Sequence, residues 1–364
     1  MATIVAKIGS SSLTDALGVI NEAAIAKLCA EVIGLRRDGH EVVLVSSGAV
    51  SAGVAALGFT QRPTDMATLQ ALSAAGQSRL MQVYDRELMA GGYVAAQVLL
   101  TPYDFMIRRQ YLHARQTVTR LLELGCVPVI NENDAIANDE LRFGDNDRLA
   151  ALVGHLVQAD LLVLLTDLAG LYTADPRTNP SATLVELVAA DDPVLGVRAG
   201  GSGSNRGSGG MGSKLAAARI ASWSGVRAVI AQADRPDVLA DAVQGRPGVG
   251  TVFAAHDRRL SARKLWIAFA SPSTGRVVVD EGARTAIQDH GRSLLSAGVV
   301  SVTGTFDEDD IIDICGPDGA VFARGMVTMS AQAMAQAKGR RSADLPAHMP
   351  AEAVHRDDLV LVPR

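Results

Sequence analysis

The chain has 364 residues, 48% of them hydrophobic and 20% charged, with a formal net charge of −5. That apolar content excludes global disorder, and the acidic balance excludes a nucleic-acid binder held mainly by phosphate charge. The length suits one large core or two smaller ones, because single cores seldom grow past about 250–300 residues.

In chain order, the first strand-like run is Thr3-Ile4-Val5-Ala6, which stops at Lys7 and lacks the apolar core of a secretory signal. Ile25, Leu28, Cys29, Val32 and Leu35 then follow helical spacing, with Asn21 placed to cap the start and Gly39 the stop. Val42–Val45, Tyr93–Leu100, Val127–Ile130, Leu161–Leu165 and Ala228–Ile230 read as strands. Their near-continuous hydrophobicity predicts a mostly parallel sheet covered by helices on both faces, an α/β arrangement. Leu161–Leu165 is bracketed by Asp160 and Asp167, far short of the ~18–20 apolar residues of a membrane span. Cys29, Cys126 and Cys315 are odd in number and widely spaced, which predicts a reducing, cytoplasmic setting without a disulfide framework or zinc site.

After about residue 255 the texture changes. Arg276–Val279, Val299–Val302, Ile311–Ile314, Ala320–Phe322 and Leu359–Val362 are short strands separated by turn chemistry, with Gly316-Pro317-Asp318-Gly319 as a hairpin turn. The expectation is a first domain over 1–255, a linker over 256–271 and a small β-barrel-like domain over 272–364.

Five stretches could carry chemistry. Lys7-Ile8-Gly9-Ser10 leaves the first strand at the edge where open α/β sheets bind ligands, so its ammonium and loop amides suit phosphate oxygens. Ser46-Ser47-Gly48 follows the next strand and can aim backbone N–H groups at an anion. Asn131-Glu132-Asn133-Asp134 and Gly144-Asp145-Asn146-Asp147 gather seven carboxylate or carboxamide groups within seventeen residues. Such groups accept from an α-amino group and donate to a carboxylate, which favours an amino-acid-like substrate over a metal. Thr166-Asp167 ends another strand and precedes the turn-rich tract Gly170–Pro176. Gly200–Gly212 holds seven glycines and three serines and runs into a helix with Lys214 in its first turn, so amides and one cation can face polyphosphate. It is neither a Walker A loop nor a dinucleotide fingerprint. No G-x-S-x-G occurs, and the seven histidines lack metal-ligand spacing. The chemistry this leaves is positioning and charge stabilisation, the requirement of phosphoryl transfer.

These stretches resemble the glutamate-phosphorylating branch of the amino acid kinase family, with a C-terminal PUA domain. The resemblance is carried by Ala6–Ser10, Val45–Ala49, Val129–Asp134, Gly144–Asp147, Leu165–Asp167, Gly170–Arg177, Gly209–Met211, Val279–Ala283, Ser301–Gly304 and Val354–Asp358. It implies the three-layer α/β/α sandwich of that family plus a PUA domain. It also implies ATP-dependent phosphorylation of the L-glutamate γ-carboxylate to γ-glutamyl phosphate, the first step of proline synthesis.

By the same resemblance, Lys7 and Lys214 hold the ATP phosphates and Asp147 orients both lysines. Ser47, Asp134 and Asn146 bind glutamate, with a backbone amide from Gly48. Thr166, Asp167 and the loop Ser208, Gly209, Gly210, Met211, Gly212, Ser213, Lys214 hold the nucleotide; the family's usual Thr is replaced by Ser at 208 and 213. Mg²⁺ bridges the phosphates through ATP and water. Feedback inhibition by proline, a homo-oligomer built through the kinase domain, and glutamate-5-semialdehyde dehydrogenase as acceptor of the labile product are further implications.

Two alternatives stay open on sequence alone. One is another amino acid kinase, acting on N-acetylglutamate or aspartate. The other is RNA binding through the PUA domain, disfavoured because residues 272–364 hold nine Lys and Arg against thirteen Asp and Glu, net −4.

Overall fold

The computed structural model describes residues 1–15, 17–136, 146–190, 192, 194, 210–257, 259–270, 273–346 and 349–362. The chain divides into two compact units, Met1–Arg259 and Leu260–Arg364.

The first unit begins β1 (Thr3–Ile8), α1 (Ser10–Leu13), α2 (Glu22–Arg37), β2 (Glu41–Val45), α3 (Ala49–Ala56), α4 (Met66–Ala90), β3 (Ala95–Leu100), α5 (Tyr103–Met106), α6 (Arg108–Glu123) and β4 (Val127–Glu132). It continues through α7 (Asn146–Leu156), β5 (Leu161–Thr166), β6 (Leu187–Val188), α8 (Met211–Trp223), β7 (Arg227–Gln232), α9 (Val238–Gln244) and β8 (Gly250–Phe253). The strands form one sheet in the order β3-β4-β2-β1-β5-β7-β8-β6. From β3 to β7 every neighbouring pair is parallel. β8 turns antiparallel to β7, and the two-residue β6 runs parallel to β8.

Local rules account for the elements that frame the site. In α2 the Asn21 side chain accepts from the Ala24 N–H at 3.1 Å, and Ile25, Leu28, Cys29, Val32 and Leu35 are the buried stripe that the spacing predicts. Along β1 the pleat sends Ile4, Ala6 and Ile8 into a core with α2, α4 and α9. Alternation then turns Val5 and Lys7 to the other face, the one where α7 packs on β1 and α8 on β7. The sheet lies between helix layers, and Lys7 leaves it at the carboxyl end of a central strand.

Two glycines bring α3 and α4 into backbone contact. A Cβ on Gly53 would lie 1.9 Å from the Leu72 carbonyl oxygen, and one on Gly76 1.8 Å from that of Ala49. Ala49 opens α3, directly after Gly48 in the left-handed region at φ 93°.

The second unit starts with α10 (Ala262–Leu265) and a wider helical turn over Trp266–Ala270. The stretch read as a linker, 256–271, therefore includes helix, and Leu265, Trp266 and Ile267 are buried there. Then come β9 (Gly275–Val279), α11 (Glu281–Gln288), β10 (Leu294–Leu295), β11 (Val299–Gly304), β12 (Ile311–Cys315), β13 (Val321–Val327), α12 (Ala331–Ala337) and β14 (Glu352–Leu361). They build a six-stranded curled sheet in the order β10-β14-β13-β12-β9-β11, with β12 and β9 its parallel pair. Val277, Ile312, Ile314, Phe322, Met334 and Val354 share its core. The expected turn joins β12 to β13, with the Gly319 N–H donating to Gly316 O at 2.9 Å. β14 starts at Glu352, well before the run Leu359–Val362 that marks it in sequence, because the polar stretch His355–Asp358 hides its first half.

Candidate functional site

The parallel strands deliver their carboxyl ends to one edge of the first unit's sheet, with β1 flanked by β2 and β5. Lys7 sits on β1. Ser46, Ser47 and Gly48 follow β2, Asn133 and Asp134 follow β4, and Thr166 closes β5. α7 starts at Asn146 and α8 at Met211 beside Gly210.

The charged half of the site centres on Asp147, which is fully buried. One carboxylate oxygen pairs with Lys7 Nζ. The other accepts from Lys214 Nζ at 3.1 Å and from Ser213 Oγ at 2.8 Å. Lys7 is 3% and Lys214 6% exposed. Two ammonium groups, more than two hundred positions apart in the chain, thus share one carboxylate and leave a net positive charge out of bulk water. Burial pushes the Asp147 carboxyl up, but the two ammonium groups and the Ser213 hydroxyl outweigh it and hold the group well below the usual carboxylate range. Breaking such a buried pair costs about 3–5 kcal/mol, since it strands an uncompensated charge.

The neutral half adjoins it through the next residue back. Asn146 Nδ2 has three acceptors within hydrogen-bond distance for its two N–H groups, Ser46 O at 2.9 Å, Ser47 Oγ at 3.1 Å and Asn131 Oδ1 at 2.8 Å. Ser46 Oγ lies 3.0 Å from the Tyr84 hydroxyl, fixing the loop from behind. Burial raises the Tyr84 phenol far above its ordinary value, so it stays neutral. Asp134 is held from α4, where Ser73 Oγ donates to its Oδ2 at 3.3 Å.

Lys7, Asp147, Lys214 and Ser213 therefore meet, as do Ser47 and Asn146. Gly48 is the left-handed residue before α3, so the first amides of that helix lie beside Ser47. Thr166 Oγ1 donates to Asp167 Oδ1 at 3.0 Å, and Asp167 also pairs with Arg177 at 3.2 Å. This pair sits at the end of β5, the strand beside β1. Met211 and Gly212 form the first turn of α8, and Gly210 O accepts from Ser213 Oγ at 3.2 Å. Ser208 and Gly209 lie outside the described residues, as do Gly144 and Asp145.

Sequence reasoning missed one turn of α4. Ser73, Gly76 and Gln77 share a face by i, i+3, i+4 spacing and are all buried. Ser73 holds Asp134, Gly76 touches the start of α3, and Gln77 accepts from Asn131 Nδ2 at 2.9 Å. The available signal was the pair of polar residues set inside the apolar stripe Leu69, Leu72, Leu80, Val83, Tyr84. Among the described residues, no cluster of three or more His, Cys, Asp or Glu could hold a metal ion, and no helix is long and apolar enough to cross a membrane.

Residues 2–232 match the amino acid kinase family, and residues 275–349 match the PUA domain. Similar proteins include the glutamate 5-kinase of Geobacter metallireducens, 46% identical over 363 residues that cover 99% of this chain and 97% of the relative. That of Mycobacterium ulcerans is 44% identical over 361 residues, covering 99% and 96%. Among solved structures, an isopentenyl phosphate kinase substrate complex covers 70% of this chain and 100% of that one at TM-score 0.51 and 19% identity. That last likeness concerns the fold.

Proposed function

The chain belongs to the amino acid kinase family, and we propose that it transfers the γ-phosphoryl group of ATP to the γ-carboxylate of L-glutamate, giving γ-glutamyl phosphate. The observation that carries the reading is the shared carboxylate: Lys7 and Lys214 converge on Asp147, whose neighbour Asn146 opens a pocket of amides and hydroxyls. The glutamate 5-kinase names of relatives matched over nearly the full chain favour glutamate over N-acetylglutamate or aspartate.

In this reading the γ-carboxylate is already ionised at pH 7 and attacks the γ-phosphorus in line, so no general base is required. Lys7 and Lys214 stabilise charge spreading over the equatorial oxygens, and Asp147 sets their spacing beforehand. Ser47, Asp134, Asn146 and the Gly48 amide hold glutamate. Thr166, Asp167 and the 208–214 loop hold the nucleotide. Both Asp147 oxygens already accept from Lys7, Lys214 and Ser213, so Asp147 does not fit a metal ligand. Mg²⁺ belongs to the substrate as MgATP, held by phosphate oxygens and water.

The same reading includes the first step of proline synthesis, with proline as feedback inhibitor and a glutamate-5-semialdehyde dehydrogenase consuming the labile product. It also includes a homo-oligomer and a cytoplasmic setting. The test is an ATP and glutamate assay, with and without proline, in which hydroxylamine traps the acyl phosphate. Hydroxamate that depends on both substrates is expected. ATP turnover with N-acetylglutamate or aspartate but not glutamate would overturn the substrate.

A further inference from the structure

Asn146 directs Nδ2 at the Ser46 carbonyl oxygen, 2.9 Å away. A carbonyl oxygen only accepts, so this contact selects which end of the carboxamide faces Ser46, and the second N–H, taken by Asn131 Oδ1 at 2.8 Å, fixes its tilt. Its Oδ1 then lies on the opposite side, buried and without a hydrogen-bond partner among the described residues. Buried acceptors are seldom left unused in a finished fold.

The orientation propagates inward. Asn131 Oδ1 accepts from Asn146 Nδ2 at 2.8 Å and from the Glu132 N–H at 3.0 Å, which forces Asn131 Nδ2 the other way. There it donates to Gln77 Oε1 at 2.9 Å, and Gln77 Nε2 donates to Gln97 Oε1 at 3.2 Å. Four amides form a chain in which every donor points from the pocket toward β3. Asn131 and Gln77 are both buried.

We propose that Gln77 is a positioning residue for substrate recognition: through Asn131 it holds the Asn146 carboxamide with Oδ1 free as acceptor for the α-ammonium group of the amino acid. The inference rests on the amino-acid reading of the pocket. Without an acceptor at position 77, the buried Nδ2 of Asn131 loses its partner, at the usual penalty for an unmet buried donor. Asn131 then rotates to recover one and withdraws Oδ1 from Asn146. An acceptor molecule lacking the amino group makes no use of Asn146 Oδ1 and is blind to that change.

The experiment uses the full chain carrying Gln77→Met. The Michaelis constants for glutamate and ATP are measured together with competitive inhibition by glutarate, which is glutamate without its amino group. The expected result is a rise of about tenfold in KM for glutamate, the size of one charge-assisted hydrogen bond. The ATP constant, kcat and glutarate inhibition should stay within about twofold. Equal weakening of glutamate and glutarate marks a packing role and overturns the proposal. Should that variant fail to fold, Gln77→Glu retains an oxygen facing Asn131, and the exposed Gln97 amide can turn to donate to it. Its glutamate KM should stay within about threefold of the parent, and a tenfold rise counts against the relay. Absence of any glutamate turnover in the unaltered protein overturns the substrate reading, and is seen before a variant is made.

Discussion

The two halves of the site differ in what holds them together. Around Asp147 the cohesion is ionic: two ammonium groups and a hydroxyl converge on one buried carboxylate, so the cluster is stiff but expensive to break. Around Asn146 it is directional, made of neutral amides whose orientations follow from fixed main-chain groups. An ionic cluster tolerates a change of ligand geometry but not a change of charge. An amide chain has the opposite sensitivity, because its information lies in which end of each side chain faces where.

The sharpest way to break this contrast is Lys214→Ala. Transition-state charge stabilisation by one donor is worth roughly 10²–10³-fold in kcat, so a loss of that order is expected in steady-state turnover while circular dichroism remains native. Near-normal turnover would remove the charged half from the mechanism. Next in size is Gly76→Ala, whose new methyl meets the Ala49 carbonyl. A loss of about 1–3 kcal/mol in denaturant unfolding is expected from overpacking, with KM for glutamate rising because the start of α3 moves; an unchanged midpoint would show that the two helices part freely. Asp134→Ala tests the Asn146 side of the site by itself: KM for glutamate should rise about tenfold, one lost polar contact, with KM for ATP little altered. Parallel changes in both constants would dissolve the distinction between the halves.

The smallest effect is expected from pH near neutrality. Because the folded Asp147 value is depressed below its ordinary 3.8, its contribution to stability is fully present above that value and is lost as pH falls through the folded one. Unfolding free energy attributable to this cluster should therefore be flat between pH 6 and 8, and an Asp147→Asn variant should show a shallower acid limb than the wild type. A wild-type slope centred near neutrality would contradict an ionised Asp147.

Much of this arrangement was legible in the sequence because α/β sheets put ligands at the carboxyl ends of strands. Lys7, Ser47, Asp134 and Thr166 each end or follow an apolar run, which makes them candidates, and the family resemblance supplies the roles expected of them. Asn146 and Asp147 stand out by chemistry, as amide and carboxylate at the start of a helix. What stayed hidden has a physical reason too. Ser73 and Gln77 lie inside a long apolar stripe of α4, and their one mark is that placement, which a surface position slightly out of phase would share. Gly76 reads as a weak helix residue, yet its missing side chain is what admits the Ala49 carbonyl. In the second unit, β14 is obscured because its buried pair Ala353 and Val354 is followed at once by the polar stretch His355–Asp358, whereas its last residues form a plain hydrophobic run.

Asn146 and Asp147 are consecutive, so a single peptide unit joins the proposed contact for the incoming amino acid to the proposed clamp on the phosphates. A backbone shift at either residue is passed to the other through that planar unit. In the proposed reaction, seating of the acceptor and arming of the donor are one mechanical event at the first turn of α7, and a redesign of one without the other has to begin by separating those two neighbours.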